Sequence, residues 1–308
     1  MLLNLVNSKL SFTAKIKIDC RYTSPEVRNK TTAILGASRS SEQLDRFERI
    51  AYNDASSTVK RNEYIITGCG SNGIMGASYR GAANVDKEHN LAVLKAPLWG
   101  DENTSECEVL GTRKTETSRI NDFDEVAENK HIYPGGAATV AEAARFVLLK
   151  LKNPEKPSNI TLIGKQEFKG IQEQYQSMEN KGYLPEGTAA KLFNIVDSSE
   201  ELDSISEFST ISKTNSEFFE EEKINLEKQG NKFFFKEGGP KTLERITRIV
   251  AIKKYAKGDN IPEIYLIGKE FYKGLDKQYK QLFEMGLLDT APEKLYHLVD
   301  ENEVNIQD

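Results

Sequence analysis

Lys130-His131-Ile132-Tyr133-Pro134-Gly135-Gly136-Ala137-Ala138-Thr139-Val140-Ala141-Glu142 reads as a short strand, a glycine turn and the start of a helix. The helix assignment follows from Val140, Ala144, Val147, Leu148 and Leu151, which recur at helical spacing. A strand that turns on glycines straight into a helix is the repeating unit of a parallel α/β sheet. The first N–H groups of such a helix have no internal partner and its dipole is positive there, so a phosphate is the favoured guest. Gly135 and Gly136 let the backbone approach that guest closely. Thr139 and Glu142 then place a hydroxyl and a carboxylate beside it. The plainer reading is a capping box, with Thr139 bonding the N–H three residues on and Glu142 reaching back.

Working outward, apolar runs alternate with amphipathic stretches, as βα units require. Strands are expected at Thr31 to Leu35, Tyr64 to Thr67, Leu91 to Leu94, Ile132-Tyr133 and Ile160 to Ile163, where the series closes. Helices are expected near Glu42 to Lys60, Tyr79 to Lys87, Ser118 to Ala127 and Lys169 to Met178. The stretch from Pro97 to Arg113 reads as a variable loop, with an insertion at Asp101 to Cys107 acting as a lid or as surface. The expected fold is α/β, a Rossmann-like doubly wound parallel sheet, whose ligands sit at the carboxyl ends of the strands. The glycine-rich turns all fall at those ends.

An internal repeat follows. Leu162-Ile163-Gly164-Lys165 recurs as Leu266-Ile267-Gly268-Lys269, Phe168-Lys169-Gly170 as Tyr272-Lys273-Gly274, and Gln174-Tyr175 as Gln278-Tyr279. Upstream, Gly135-Gly136 aligns with Gly238-Gly239 and Thr139 with Thr242, but Arg245 stands where the first copy has Glu142. The chain therefore divides into an N-terminal extension (1–29), a nucleotide-binding domain (30–204) and a degenerate α/β half-repeat (205–308). The half-repeat extends or caps the sheet, or carries a second nucleotide site at Gly238-Gly239.

Bulk properties exclude several classes. Of 308 residues, 38% are hydrophobic and 29% charged, and no apolar run approaches the ~20 residues of a membrane span. Met1 to Phe12 has neither the basic start nor the cleavage site of a signal peptide. With a net charge of −5 and interleaved bases, no cationic stripe suits a nucleic-acid polymer. Cys20, Cys69 and Cys107 are scattered without metal or disulfide-framework spacing, which fits a reducing, cytoplasmic setting, and no metal is expected.

Gly68-Cys69-Gly70-Ser71-Asn72-Gly73 matches a dinucleotide fingerprint, but the confirming acid about 20 residues on is missing, so the loop is better read as a wide cradle. Three motifs in order, Gly36-Ala37-Ser38-Arg39, Gly70 through Gly76 and Pro134-Gly135-Gly136 through Glu142, resemble the Lonely Guy family, long labelled lysine decarboxylase-like. The resemblance covers about residues 30 to 197. It implies a phosphoribohydrolase of nucleoside 5′-monophosphates, a homodimer or higher homo-oligomer unless the half-repeat covers that surface, and Arg119 and Glu142 as catalytic residues. Two departures stand out: Ala138 replaces a glycine, and Ile120 replaces a lysine. The alanine methyl would crowd a phosphate on that turn.

The residue types suit that chemistry. Breaking the base–ribose bond builds positive charge on the sugar, so a carboxylate such as Glu142 is wanted at the ring. Arg119 would hold phosphate or departing base, or else pair with Asp122 or Glu125 on an exposed helix face. The nucleotide-binding candidates are Gly36, Ser38, Arg39, Gly70, Asn72, Gly73, Met75, Gly76, Gly135, Gly136 and Thr139; Ser38 and Arg39 could instead cap a helix, and Met75 could be packing. No lysine stands out for a pyridoxal-phosphate Schiff base, so no cofactor is expected. The competing reading is a nucleotide-binding sensor or scaffold without turnover.

Overall fold

The computed structural model describes residues 23–95, 107–205, 210–211, 224–253 and 261–304. The start of the N-terminal extension with Cys20, most of the supposed lid and part of the variable loop from Pro97 to Arg113 lie outside those residues. A short helix α1 (Pro25–Asn29) leads into β1 (Thr31–Leu35), α2 (Asp45–Lys60), β2 (Tyr64–Thr67), α3 (Gly73–Asp86) and β3 (Asn90–Lys95). Then come β4 (Glu108–Arg113), α4 (Glu116–Val126), β5 (Asn129–Ile132), α5 (Ala137–Lys152), β6 (Asn159–Ile163), α6 (Lys169–Asn180), β7 (Asn194–Val196) and α7 (Ser199–Asp203). The strands form one all-parallel seven-stranded sheet in the order β4-β3-β2-β1-β5-β6-β7.

Alternation along the strands explains the two layers of helices. Ala33, Leu35 and Ile66 join the core beneath α4, α5 and α6, whereas Ile34 and Ile65 join the core beneath α2 and α3. The fold is therefore Rossmann-like and doubly wound, with its switch point where β1 lies between β2 and β5. Lys130 is fully buried in β5, and its Nζ donates to Ser158 Oγ at 3.0 Å and pairs with Asp124 at 2.9 Å. Burial pushes this ammonium down to about 8 against the opposing pull of Asp124.

Two strands depart from the sequence reading. The variable loop contains β4, and β7 follows the strand expected to close the series. Both are edge strands: β4 is half-exposed along its length and bulges against β3 between Ala92 and Val93, while β7 is three residues long. Neither needs the continuous apolar run that marks a buried parallel strand.

The half-repeat comprises β8 (Leu226–Gln229), β9 (Lys232–Phe235), α8 (Pro240–Lys253), β10 (Glu263–Ile267), α9 (Lys273–Glu284), α10 (Pro292–Leu295) and β11 (His297–Val299). It does not extend the main sheet. It builds its own four-stranded sheet, β11-β10-β9-β8, with β8 antiparallel. Details of the parent recur in it. Gly164 and Gly268 share φ near +120° and +113°, Lys165 N–H donates to Asp197 as Lys269 N–H does to Asp300, and Lys150 and Lys253 both donate to backbone carbonyls ahead of the last strand.

The two copies meet through a local two-fold. Gln278 Oε1 accepts from Ile171 N–H at 3.2 Å, and reciprocally Gln174 Oε1 accepts from Leu275 N–H at 3.0 Å. Both glutamines are fully buried. Gly170 and Gly274 face each other at the crossing of α6 and α9, while α5 packs on α8. This is the reciprocal contact pattern of a symmetric dimer, made within one chain.

Candidate functional site

Three loops at the carboxyl ends of β1, β2 and β5 are tied together by hydrogen bonds from backbone N–H groups. Ala37 N–H donates to Pro134 O at 3.1 Å, Ile74 N–H to Ala37 O at 2.9 Å, and Gly73 N–H to Ser40 Oγ at 3.1 Å. Close approach explains the glycines. A Cβ on Gly73, which has φ +62°, would strike the carbonyl of Ala37, and one on Gly135 would strike the Thr139 hydroxyl.

Above these loops lies a cleft of about 700 Å³. Of the residues expected at a site, Gly36, Ser38, Arg39, Gly70, Met75, Arg119, Gly136, Thr139 and Glu142 line it. Asn72, Gly73, Gly76 and Gly135 do not. Gly73, Gly76 and Gly135 shape the loops from behind, and the exposed Asn72 side chain bonds only its neighbour Ser71 among the contacts described. Ser38 and Arg39 precede the helices without capping them, since the short helical turn ahead of α2 has Ser41 at its N-cap. Met75 both packs and lines, its thioether lying over Gly68 and Gly70 at the cleft floor.

The capping-box reading fails on geometry. The N-cap of α5 is Gly136, so Thr139 is already the third helical residue and Glu142 lies a turn further on. No side chain caps α5, and none caps α3 at Asn72. The 16-residue α5 thus opens beside the cleft with its first backbone donors unmet by side chains, whereas at α3 the Gly73 N–H donates to Ser40 Oγ and the Ile74 N–H to Ala37 O.

Glu142 is 5% exposed and Thr139 4%, both on the cleft wall. Arg119 reaches the floor from α4. Its Nε donates to Val93 O at 3.1 Å and its Nη1 to Glu116 Oε1 at 3.0 Å, and its guanidinium lies over Gly68, where any Cβ would collide with it. Neither expected surface partner is used: Asp122 pairs with Arg113, and Glu125 with Lys156. Ile120, next to Arg119, joins the core at 3% exposure while also touching the cleft, and Ala138 faces the cleft from the turn.

The sequence reading missed the far wall, which the half-repeat supplies. Glu244, Arg248, Ala251 and Ile252 on α8, with Gly286 and Leu287 after α9, line the same cleft. Glu244 is buried between Arg248, whose Nε lies 3.4 Å from its Oε1, and Arg145 of α5 at 4.0 Å. Burial draws Arg145 below its usual value, against the pull of Glu244. A signal was present in the sequence, because Arg145 and Arg248 occupy equivalent places in the two copies. Arg39 is also held by the half-repeat, donating to Asp289 at 2.7 Å.

The copy's own glycine turn is filled by the chain. Thr242 is fully buried, its Oγ1 accepts from Asn225 N–H at 3.1 Å, and the Asn225 amide donates to Glu237 O at 2.8 Å. Pro240 opens α8 and removes one donor. The second nucleotide site considered at Gly238-Gly239 is thus occupied from within.

Among the described residues no group of three or more His, Cys, Asp and Glu is placed to hold a metal ion, and no helix is long and apolar enough to cross a membrane. No family model matches the chain, and the search of curated proteins likewise found no match.

Proposed function

We propose that the cleft binds a nucleoside 5′-monophosphate and hydrolyses its N-glycosidic bond, giving free base and ribose 5-phosphate. The observation that carries this reading is the convergence on one cleft of the start of α5, which no side chain caps, the Arg119 guanidinium and the buried Glu142 carboxylate. The resemblance to the Lonely Guy family supports it. In this reading the 5′-phosphate lies on the N–H groups that open α5, with the Thr139 hydroxyl as a further donor. Glu142 stabilises the cation that develops at C1′ and orients the attacking water. Water oxygen bonds to C1′ as the bond to the base breaks, and the water proton passes to the departing base. The α8 wall faces the ligand from the other side. Because α5 and α6 are already covered by the half-repeat, the homo-oligomer that the resemblance implies would have to form through another face.

The test is an end-point assay of purified protein against a panel of nucleoside monophosphates, with free base and ribose 5-phosphate quantified by chromatography. Stoichiometric appearance of both products is the expected result. Tight binding without any release would favour a nucleotide-binding sensor, a reading helped by Ile120 being committed to the core and by the Ala138 methyl facing the cleft.

Gly68→Ala probes the floor. Its Cβ would collide with the end of the Arg119 side chain rather than with backbone, so the arginine moves and the fold survives. Misplacement of about 1 Å at a reacting centre can cost ~100-fold, so kcat/KM should fall about 10- to 100-fold with an unchanged circular dichroism spectrum. An unaltered kcat/KM would remove Arg119 from the mechanism.

A further inference from the structure

Cys69 lies between Gly68 and Gly70, at φ +60°, where a side chain is costly and glycine is the ordinary choice. The backbone gains nothing from a cysteine there. What the residue does have is a partner: its Sγ lies 2.6 Å from that of Cys107, which precedes β4. The cysteines belong to a small apolar cluster with Tyr79, Ala92 and Leu94. Cys69 is fully buried, whereas Cys107 is half-exposed, so reagents from solvent reach the second sulfur first.

We infer that Cys69 and Cys107 form a redox-active dithiol site that hydrogen peroxide converts to an intramolecular disulfide. The Cys107 thiolate attacks the peroxide oxygen, the O–O bond breaks, and the leaving hydroxide takes up a proton to become water. The resulting Cys107 sulfenic acid is then attacked by the Cys69 sulfur; the S–O bond breaks and a second water leaves. Two thiols thereby give two electrons to one peroxide. The disulfide ties the glycine loop under Arg119 and Met75 to the start of β4, closing a chain loop that spans 38 residues in sequence.

The experiment uses the full chain carrying Cys20→Ser, so that only this pair remains. After treatment with hydrogen peroxide and alkylation, peptide mapping without reductant should recover a Cys69–Cys107 cross-linked peptide. The melting temperature should rise by about 5 °C or more, because a loop of this length loses much of its unfolded-state freedom, and dithiothreitol should reverse the rise. Cys69→Gly, which the local φ accommodates, should fold as before and show no such rise. The proposal is overturned if peroxide leaves both thiols open to alkylation, if Cys107 proceeds to sulfinic acid while Cys69 still alkylates, or if the cross-link joins two chains.

Discussion

Glu142→Gln stops release of the free base, with kcat falling about 1,000-fold or more, while nucleoside monophosphates still bind within a few-fold of the parent. The substitution keeps shape and volume on a wall position that is only 5% exposed, so the cleft changes in charge and hardly in form. The phosphate contacts assigned to the start of α5 do not involve this side chain. What is removed is the negative charge facing the sugar when its ring becomes cationic, an interaction made chiefly in the transition state. Loss confined to kcat therefore separates a chemical role from a binding one. Calorimetric titration with the best substrate of the panel, alongside initial rates, makes the comparison. A variant with turnover within tenfold of the parent would show that Glu142 is not the group that meets the developing charge.

How much of this cleft was legible from sequence differs by residue. Strands β1, β2, β3 and β6 were visible as largely apolar runs, the usual mark of a buried parallel strand, whereas β5, with Lys130 buried in it, showed in sequence only through Ile132 and the glycine turn that follows. The turns at Gly36, Gly73 and Gly135 were visible because a side chain at each would collide with a neighbouring loop or helix, so glycine is required there and marks the place. Edge strand β4 was hidden because Glu108, Val109 and Thr112 face solvent at least in part and leave no pattern of period two or apolar run. Glu244 and Arg248 were hidden for another reason. Comparing the copy with its parent position by position draws the eye to Arg245 in place of Glu142. Yet the side chains that reach the cleft belong to neighbouring positions on α8, and only the way α8 lies on α5 turns them towards it. Likewise, the closeness of Cys69, after β2, and Cys107, before β4, depends on those two strands flanking β3 in one sheet. Spacing along the chain carries no trace of that.

Gly170→Ala should destabilise the protein, although the helix alone predicts the reverse. Gly170 is the second residue of α6, and in an isolated helix alanine is favoured over glycine by about 1 kcal/mol. Here a Cβ would stand 2.5 Å from Gln278 N and 2.6 Å from Gly274 O, both backbone atoms of α9 that cannot rotate away. The helices must part at their closest point. Parting them strains the two reciprocal bonds, Gln278 to Ile171 N–H and Gln174 to Leu275 N–H, whose atoms are buried and have no water to turn to. Overpacking of this kind costs about 3 kcal/mol, enough to reverse the sign of the propensity gain, and more if both amide bonds are lost. Urea unfolding should show the lower midpoint, with the exposed Gln172→Ala on the same helix close to neutral as a control. The same variant should weaken nucleotide binding without touching the cleft, because α8 holds Arg248 and Ile252 against it only while the two copies stay docked. Stabilisation by Gly170→Ala would mean that α6 and α9 do not cross at this glycine pair, and the half-repeat would then lose its place as the far wall of the cleft.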